Sequence, residues 1–156
     1  NIRFGNENAT DYEIQQTVVD SQVKSFIESK KDKYQAIISQ GGDNVSGGQK
    51  QRLSIARAIV KHPEIYIFDD SFSALDYQTE LALRKALNKH SKKATKFIVA
   101  QRISTIINAD LILVLDGGKI VGKGNHDELL RNCNVYQQIA KSQLSEEAMV
   151  HGASKK

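Results

Sequence analysis

The chain has 156 residues, a length that suits one domain with a sizeable core. Its hydrophobic content of 40% and charged content of 26% are ordinary for a soluble globular protein, and it has no low-complexity linker. The net charge of +4 comes from scattered lysines, which we expect to be solvated, so we predict no binding to nucleic acid.

Cysteine content and apolar patterning limit the class of protein further. Cys133 is the only cysteine, which excludes an intrachain disulfide and fits a reducing compartment. No segment approaches the roughly 18 apolar residues of a membrane helix, and a signal-peptide pattern is lacking. We therefore expect that these residues do not themselves cross a membrane.

The N-terminal part of the chain predicts helices. Residues 1–5 have the pattern of an extended segment. The stretch Thr10–Glu13 is a capping box, and apolar residues then recur at helical spacing, which predicts one amphipathic helix over residues 11–29. A short helix or extended segment is expected over 34–38, followed by a turn at the glycine pair 41–42.

The central stretch 44–76 combines two motifs with different chemistry. Ser46-Gly47-Gly48 opens a basic amphipathic helix predicted over 48–61, and its glycines leave the backbone N–H groups accessible to an anion. A helix N-terminus carries a partial positive charge, so it suits a phosphate. Ile65–Asp69 is predicted to be a buried parallel strand, which brings its last residue and Asp70 to the edge where open α/β sheets bind ligands.

The rest of the chain predicts a compact α/β arrangement. The remaining elements are a helix, three strands, two closing helices and a frayed tail, over 77–90, 95–100, 111–115, 119–124, 126–132, 134–144 and 145–156. Asp76 can cap the first of these helices. The strand 65–69, that helix and the next strand make one βαβ unit, and Gly117-Gly118 is the turn of a hairpin.

In their order along the chain, these motifs resemble those of the ATP-binding cassette (ABC) ATPases. Val45–Gln49 resembles the signature loop, Ile65–Asp69 the Walker B strand, and Ser73–Asp76 the D-loop. The resemblance extends to about Leu144. The sequence around Asp70 is similar to that of heterodimeric bacterial multidrug exporters.

The resemblance implies an α/β fold of the P-loop NTPase-like ABC type, present here in part. Its helical subdomain corresponds to residues 1–60, the C-terminal part of its RecA-like core to 61–125, and the closing helices with a polar tail to 126–156. A nucleotide site of this type needs a Gly-x4-Gly-Lys-Ser/Thr loop, which this sequence lacks. We expect that loop before Asn1, and expect the 156 residues alone to be inactive.

The resemblance also implies a role for each matching residue in a head-to-tail pair of domains with ATP and Mg²⁺ between them. Asp69 would hold Mg²⁺ through water, and Asp70 and Gln101 would be catalytic. The D-loop residues are Ser73, Ala74, Leu75 and Asp76. The residues that contact ATP held by the second domain would be Val45, Ser46, Gly47, Gly48 and Gln49. The segment Gln40–Gly42 would contact the coupling helices of a transmembrane domain.

Two positions depart from the family pattern. Asp70 stands where Glu is usual as general base, and the shorter side chain withdraws the carboxylate by roughly 1.5 Å. A misplacement of about 1 Å can cost on the order of 100-fold in rate. Gln101 stands where the switch histidine is usual, and an amide cannot shuttle a proton. The departures indicate the degenerate-site partner of a heterodimer.

Other interpretations stay open. A slow symmetric homodimer would share these motifs. A regulatory fragment that docks through Ser46–Gln49 needs no hydrolysis. DNA-repair ATPases have a similar signature loop, but they need a long coiled coil before it, and about 44 residues without sustained heptads precede it here. The leading hypothesis is the ATPase motor of an exporter, at the cytoplasmic face of a membrane.

Overall fold

A computed structural model describes the backbone over residues 1–91 and 93–152. Side chains are described over the same ranges except at residue 90 and over 144–152. The chain divides into two compact units, Asn1–Val99 and Ala100–Lys156, and each is described by itself. Among the residues that the structure describes, no helix combines the length and apolar character needed to span a membrane.

Over residues 1–91 and 93–99, the first unit contains four α-helices and one parallel pair of strands. Short 3-10 helices occupy Ile2–Gly5, Lys33–Gln35 and Gln40–Gly42. The main elements in chain order are α1 (Asp11–Asp20), α2 (Lys24–Glu28), α3 (Gly47–Ile59), β1 (Ile65–Asp69), α4 (Tyr77–His90) and β2 (Thr95–Val99). The predicted βαβ unit is confirmed, since β1 and β2 pair in parallel from Ile65 opposite Thr95 to Asp69 opposite Val99.

The helix predicted over residues 11–29 is wrong in its length. α1 begins at the predicted capping box of Thr10 but ends at Asp20, and Gln22 has a φ of 58°, which no α-helix continues through. At about 100° per residue, Val23 would lie about 180° around a straight helix from Ile14. Both residues are buried in one cluster, so the break turns the second half of the segment toward the same core.

The extended segment predicted at residues 1–5 is also wrong. Ile2–Gly5 is a 3-10 turn, in which the Asn6 N–H donates to the Arg3 carbonyl at 3.0 Å. Ile2 is 7% exposed and packs in the same cluster as α1 and α2. The turn is favoured because it buries this side chain, a contact that local pattern does not reveal.

α3 separates the two apolar cores of the first unit. Leu53, Ala56 and Val60 contact the cluster formed by the N-terminal helices. Ile55 and Ile59 pack on the opposite side against the strand pair and α4. Because both sides of α3 are buried, its position is set by two cores.

The prediction of a buried strand at Ile65–Asp69 holds for only one face of β1. Tyr66 and Phe68 are buried, whereas Ile65 and Ile67 are 58% and 73% exposed. The alternation follows from strand geometry, which sends successive side chains to opposite faces. In this chain α3 and α4 cover one face, and the other face stays open.

The second unit is a hairpin that packs against helices. Its elements are α5 (Ile103–Ile106), β3 (Ile112–Asp116), β4 (Lys119–Gly124), α6 (His126–Asn132) and α7 (Asn134–Gly152). The predicted hairpin is confirmed, with Gly117 and Gly118 at φ values of 52° and 75°. Its core contains Val114, Leu129 and Tyr136.

The frayed tail predicted over 145–156 is wrong over the part that the structure describes. α7 continues without a break to Gly152. Residues 153–156 lie outside the described residues. Residues 145–150 include Glu146, Glu147 and Ala148, which are good helix formers, so an existing helix propagates into this segment.

Candidate functional site

The first part of the candidate site is the N-terminus of α3. Ser46 is the N-cap: its Oγ accepts from the Gln49 N–H at 3.3 Å, and Gln49 Oε1 accepts from the Ser46 N–H at 2.9 Å. This capping box positions Gly47 and Gly48 as the first two helical residues. Their N–H groups lie in the first turn, where an α-helix offers donors without intrahelical partners. The arrangement suits an anion.

The two glycines meet different surroundings. A Cβ atom built on Gly48 would lie 3.0 Å from the Ala74 carbonyl oxygen, whereas one on Gly47 would find its nearest contact at 3.9 Å. Gly48 therefore allows the backbone of α3 to approach the loop that follows β1. In front of Gly47, the space beside the first turn is open.

The second part of the site is the carboxyl end of β1. Asp69 is the last strand residue and lies on the open face, and the next residue, Asp70, is also exposed. Asp70 adopts a left-handed φ of 47°, and its N–H donates to the Val99 carbonyl of β2 at 3.3 Å. Aspartate tolerates the left-handed region better than most residues do. This conformation turns the chain sharply away from the strand.

The loop 70–76 folds back on itself and leads into α4. Ser73 Oγ donates to the Asp70 carbonyl at 3.0 Å, while Phe72 and Leu75 are buried in the core beneath. Asp76 is the N-cap of α4, as predicted, with its Oδ1 accepting from the Thr79 N–H at 2.9 Å. Hydrogen bonds from the Thr79 side chain and N–H lower the pKa of Asp76 below its usual value. Arg52 contributes a smaller lowering of the same pKa.

Gln51 connects the two parts, which the sequence alone did not indicate. Its Nε2 donates to the Asp70 carbonyl at 3.3 Å and to Ser73 Oγ at 3.1 Å, while its Oε1 accepts from the Ala74 N–H at 3.1 Å. In the sequence, Gln51 is only one polar position of the amphipathic helix predicted over 48–61. The one sequence feature that could have indicated its role is its place one turn after the two glycines, on the same side of the helix.

Gln101 lies in the second unit and is described there. It follows β2 and precedes α5, and its side chain is exposed. Its carbonyl accepts from Gln143 Nε2 at 2.7 Å, and Gln143 Oε1 accepts from the Ile103 N–H at 2.8 Å. Gln143 of α7 therefore holds the backbone around Gln101.

The donors near the end of β1 fit a magnesium ion that is shared with a phosphate. Asp69 and Asp70 supply two adjacent, exposed carboxylates. Over residues 1–91 and 93–152, as far as their side chains are described, no three His, Cys, Asp or Glu residues gather as a metal cage. Magnesium in phosphate sites commonly uses one or two carboxylates plus phosphate and water, so this donor set fits it.

The chain is similar to known proteins in sequence and in fold. The family described as "ABC transporter" matches residues 4–73. ABC transporter B family member 4 of Dictyostelium discoideum is 44% identical over 147 residues, which are 94% of this chain and 19% of that protein. A probable multidrug resistance ABC transporter ATP-binding/permease protein of Bacillus subtilis is 43% identical over 145 residues, which are 92% of this chain and 25% of that protein.

A solved structure gives the same result at the level of the fold. A bacterial Atm1-family ABC exporter with ATP bound matches 91% of this chain and 25% of its own chain, with a TM-score of 0.86 and 34% identity. The present chain thus spans about a fifth to a quarter of the length of these relatives. Fold and site together define part of an α/β nucleotide-binding domain of the ABC type. More particularly, the solved structure that 91% of this chain matches is that of an exporter.

Proposed function

We propose that this chain is part of the ATPase motor of an ABC exporter, at the cytoplasmic face of a membrane. The observation that carries the proposal is the pairing, within one unit, of the glycine-opened N-terminus of α3 with the two carboxylates after β1. The N-terminus of α3 suits a phosphate. The two carboxylates suit a magnesium ion and an attacking water. The similar proteins of known family are ABC transporters, and this chain matches 19% and 25% of their length.

The signature loop would act on ATP bound by a second ABC domain, in a head-to-tail dimer. The N–H groups of Gly47 and Gly48, with Ser46 and Gln49 beside them, would bind the γ-phosphate. Val45 is half-buried against the first core and would hold the loop in place. Loop 73–76 would face the same second domain, because it lies beside this turn: a Cβ atom on Gly48 would be 3.0 Å from the Ala74 carbonyl oxygen.

The carboxylates after β1 would serve the nucleotide of this chain's own domain. Asp69 would hold Mg²⁺ through water, and Asp70 would accept a proton from the attacking water. A bound magnesium ion would supply charge neutralisation on the phosphates. Asp70 has a shorter reach than Glu, and Gln101 can donate or accept a hydrogen bond but cannot carry a proton.

We infer from these two positions that the chain forms the poorly hydrolysing site of an asymmetric pair. Its intact signature loop would complete the competent site on a different partner chain. The short Asp70 side chain is a poorly placed base and the amide of Gln101 cannot carry a proton, whereas Ser46–Gln49 keep every feature that a phosphate contact needs. A symmetric pair would instead hydrolyse slowly at two equal sites.

The test is restoration of both residues in the full transporter that carries this chain. In Asp70→Glu with Gln101→His, we expect ATP turnover at this site to rise at least tenfold, in line with the cost of a misplaced base. Asp32→Glu with Gln16→His makes the same chemical changes at exposed positions and is the matched control. Equal turnover in the wild-type and restored proteins would contradict the degenerate site.

The full transporter with its partner also tests the broader proposal, that this chain belongs to an ATPase motor. A wild-type transporter that shows no ATP hydrolysis at either site, although it binds its partner, would exclude the motor and favour a docking or regulatory fragment. ATP hydrolysis that disappears when the partner is omitted would support the head-to-tail pair. The transported substrate would be identified separately, because its binding site lies outside these residues.

The segment before α3 is proposed to contact the coupling helices of a transmembrane domain. Asn44 stabilises this segment, since its Oδ1 accepts from the Ser39 N–H at 3.1 Å and its Nδ2 donates to the Ile37 carbonyl at 2.8 Å. Ile37 is 85% exposed, so the ordered loop presents an apolar side chain. Cysteines at Ile37 and on a coupling helix should cross-link; absence of any cross-link along those helices would exclude this contact.

A further inference from the structure

Gln51 uses both ends of its side-chain amide on the loop after β1. The donor end contacts the Asp70 carbonyl at 3.3 Å and Ser73 Oγ at 3.1 Å. The acceptor end receives the Ala74 N–H at 3.1 Å. All three partners belong to the segment that carries the proposed base and D-loop, so this is a specific bridge and not a solvated surface amide.

The bridge lies beside a close backbone approach. Gly48 is one turn before Gln51, and its Cα faces the Ala74 carbonyl so closely that a Cβ atom would lie 3.0 Å from it. The Gln51 amide and the Gly48 backbone thus contact the same short stretch of loop. The opposite side of that stretch is anchored by Phe72 and Leu75 in the core.

The bridge also acts at the one residue of the loop with a strained backbone. Asp70 has a φ of 47°, and its carbonyl accepts from both Gln51 Nε2 and Ser73 Oγ. Two donors on this carbonyl fix the plane of the peptide that follows Asp70. The direction of the Asp70 side chain depends on that backbone.

We propose that Gln51 is a positioning residue that locks the loop 70–76 to α3, so that the phosphate-binding turn and the catalytic carboxylate are held in one geometry. The proposal rests on the proposed ATPase function and adds a residue to it. Gln51 itself touches no nucleotide in this scheme. Its loss should therefore reduce the rate of ATP hydrolysis more than the affinity for ATP.

The first variant is Gln51→Met in the full transporter with its partner. Methionine has a similar length and a similar helix propensity, but it makes none of the three hydrogen bonds. At the competent site that this chain's signature loop completes, we expect kcat to fall about tenfold or more, since a misplacement of about 1 Å can cost on the order of 100-fold, while KM for ATP stays within about twofold. Gln16→Met, at an exposed glutamine of α1, is the matched control and should leave both constants unchanged.

The second variant, Gln51→Glu, distinguishes positioning from a general effect on folding. An ionised carboxylate can still accept from the Ala74 N–H but cannot donate to the Asp70 carbonyl, whereas a protonated one can do both. The activity of Gln51→Glu, divided by that of wild type at each pH, should therefore rise as the pH falls toward the carboxyl pKa. The same ratio for Gln51→Met should stay flat, and a flat ratio for Gln51→Glu would contradict the proposal.

Hydrogen exchange tests the bridge without reference to activity. The Ala74 N–H is protected by Gln51, so peptides that cover residues 72–76 should exchange faster in Gln51→Met than in wild type. Unchanged exchange, or faster exchange with unchanged kcat, would overturn the proposal. If the wild-type protein hydrolyses no ATP while exchange responds to the substitution, the bridge is real and the proposed ATPase function is what has failed.

Discussion

The two faces of the β1–β2 pair have opposite surroundings, although they alternate along the same ten residues. Tyr66 and Phe68 are 5% and 3% exposed beneath α3 and α4, whereas Ile67 and Phe97 are 73% and 58% exposed. Asp69 ends the open face, and the loop that begins at Asp70 leaves from the same end. The covered face therefore contributes stability to this chain, while the open face leads to the residues proposed to act on nucleotide.

The largest expected effect comes from truncation on the covered face. Phe68 contacts Tyr66 and Phe72, with ring centroids 5.7 Å and 5.3 Å away. Phe68→Ala should lower the free energy of unfolding by about 3–5 kcal/mol, because it leaves a cavity in this aromatic cluster. Urea denaturation of the 156-residue chain measures the change.

The control for this prediction is the neighbouring residue on the open face. Ile67→Ala should change the free energy of unfolding by only about 0.5 kcal/mol, as is usual for exposed positions. Comparable losses in Phe68→Ala and Ile67→Ala would show that the open face is also packed in solution, and the contrast between the two faces would then be lost.

A smaller effect on stability is expected at the start of α3. One substitution there should change stability and ATP hydrolysis in opposite directions. Gly47→Ala should raise the free energy of unfolding by up to about 1 kcal/mol, because alanine favours a helix and the new methyl group meets nothing closer than 3.9 Å. The same methyl group would occupy the open space beside the first turn of α3, where the γ-phosphate is proposed to bind. ATP hydrolysis by the full transporter should therefore fall at least tenfold, since its anion-binding turn is blocked.

Ser54→Ala serves as the matched substitution for Gly47→Ala. Ser54 is exposed on the same helix, and alanine there also raises helix propensity without entering the site. It should stabilise the chain slightly and preserve ATP hydrolysis. If Gly47→Ala hydrolyses ATP as fast as Ser54→Ala does, the first turn of α3 does not contact the phosphate.

The smallest expected effect is a pH dependence of stability that comes from Asp76, at the end of loop 70–76. Hydrogen bonds from Thr79 lower the pKa of Asp76, so the ionised cap stabilises the folded chain above the unfolded pKa of about 4. This contribution is lost as the pH falls through the lowered, folded-state pKa. Asp76→Asn keeps an N-cap acceptor but does not titrate.

The measurement compares unfolding of the wild-type chain and Asp76→Asn between about pH 6 and pH 2, a range that spans the usual aspartate pKa. Any stability advantage of the wild type over the variant should shrink as the medium becomes more acidic. A constant difference across this range would show that the Asp76 charge does not contribute. Titration of the other carboxylates is common to both proteins and cancels in the comparison.

Local chemistry in the sequence was enough to predict many element boundaries. The capping box at Thr10 and the Asp76 cap are confirmed, because a cap requires only a side chain and an N–H three residues apart. The parallel pairing of β1 with β2 is confirmed as well. Order of motifs along the chain was sufficient to predict the ABC-type fold.

Tertiary packing decided the features that local pattern could not. The break after Asp20 exists because residues on opposite sides of one helix must reach one core, and Ile2 is drawn into that core by contacts distant in sequence. The half-open strand β1 depends on which helices are present to cover it. Each of these outcomes is a sum of long-range contacts.

For the candidate site, the sequence by itself determined which residue types are available: two glycines at a helix start, two carboxylates at a strand end, and Gln101 after β2. Only the tertiary structure decided that Gln51, on the helix that the glycines open, contacts the loop after the carboxylates, 19 to 23 residues further along the chain. It also decided that Asp70 is left-handed. The physical reason is that a side-chain amide takes its partners from whatever backbone packing brings within about 3 Å, and sequence spacing does not encode that distance.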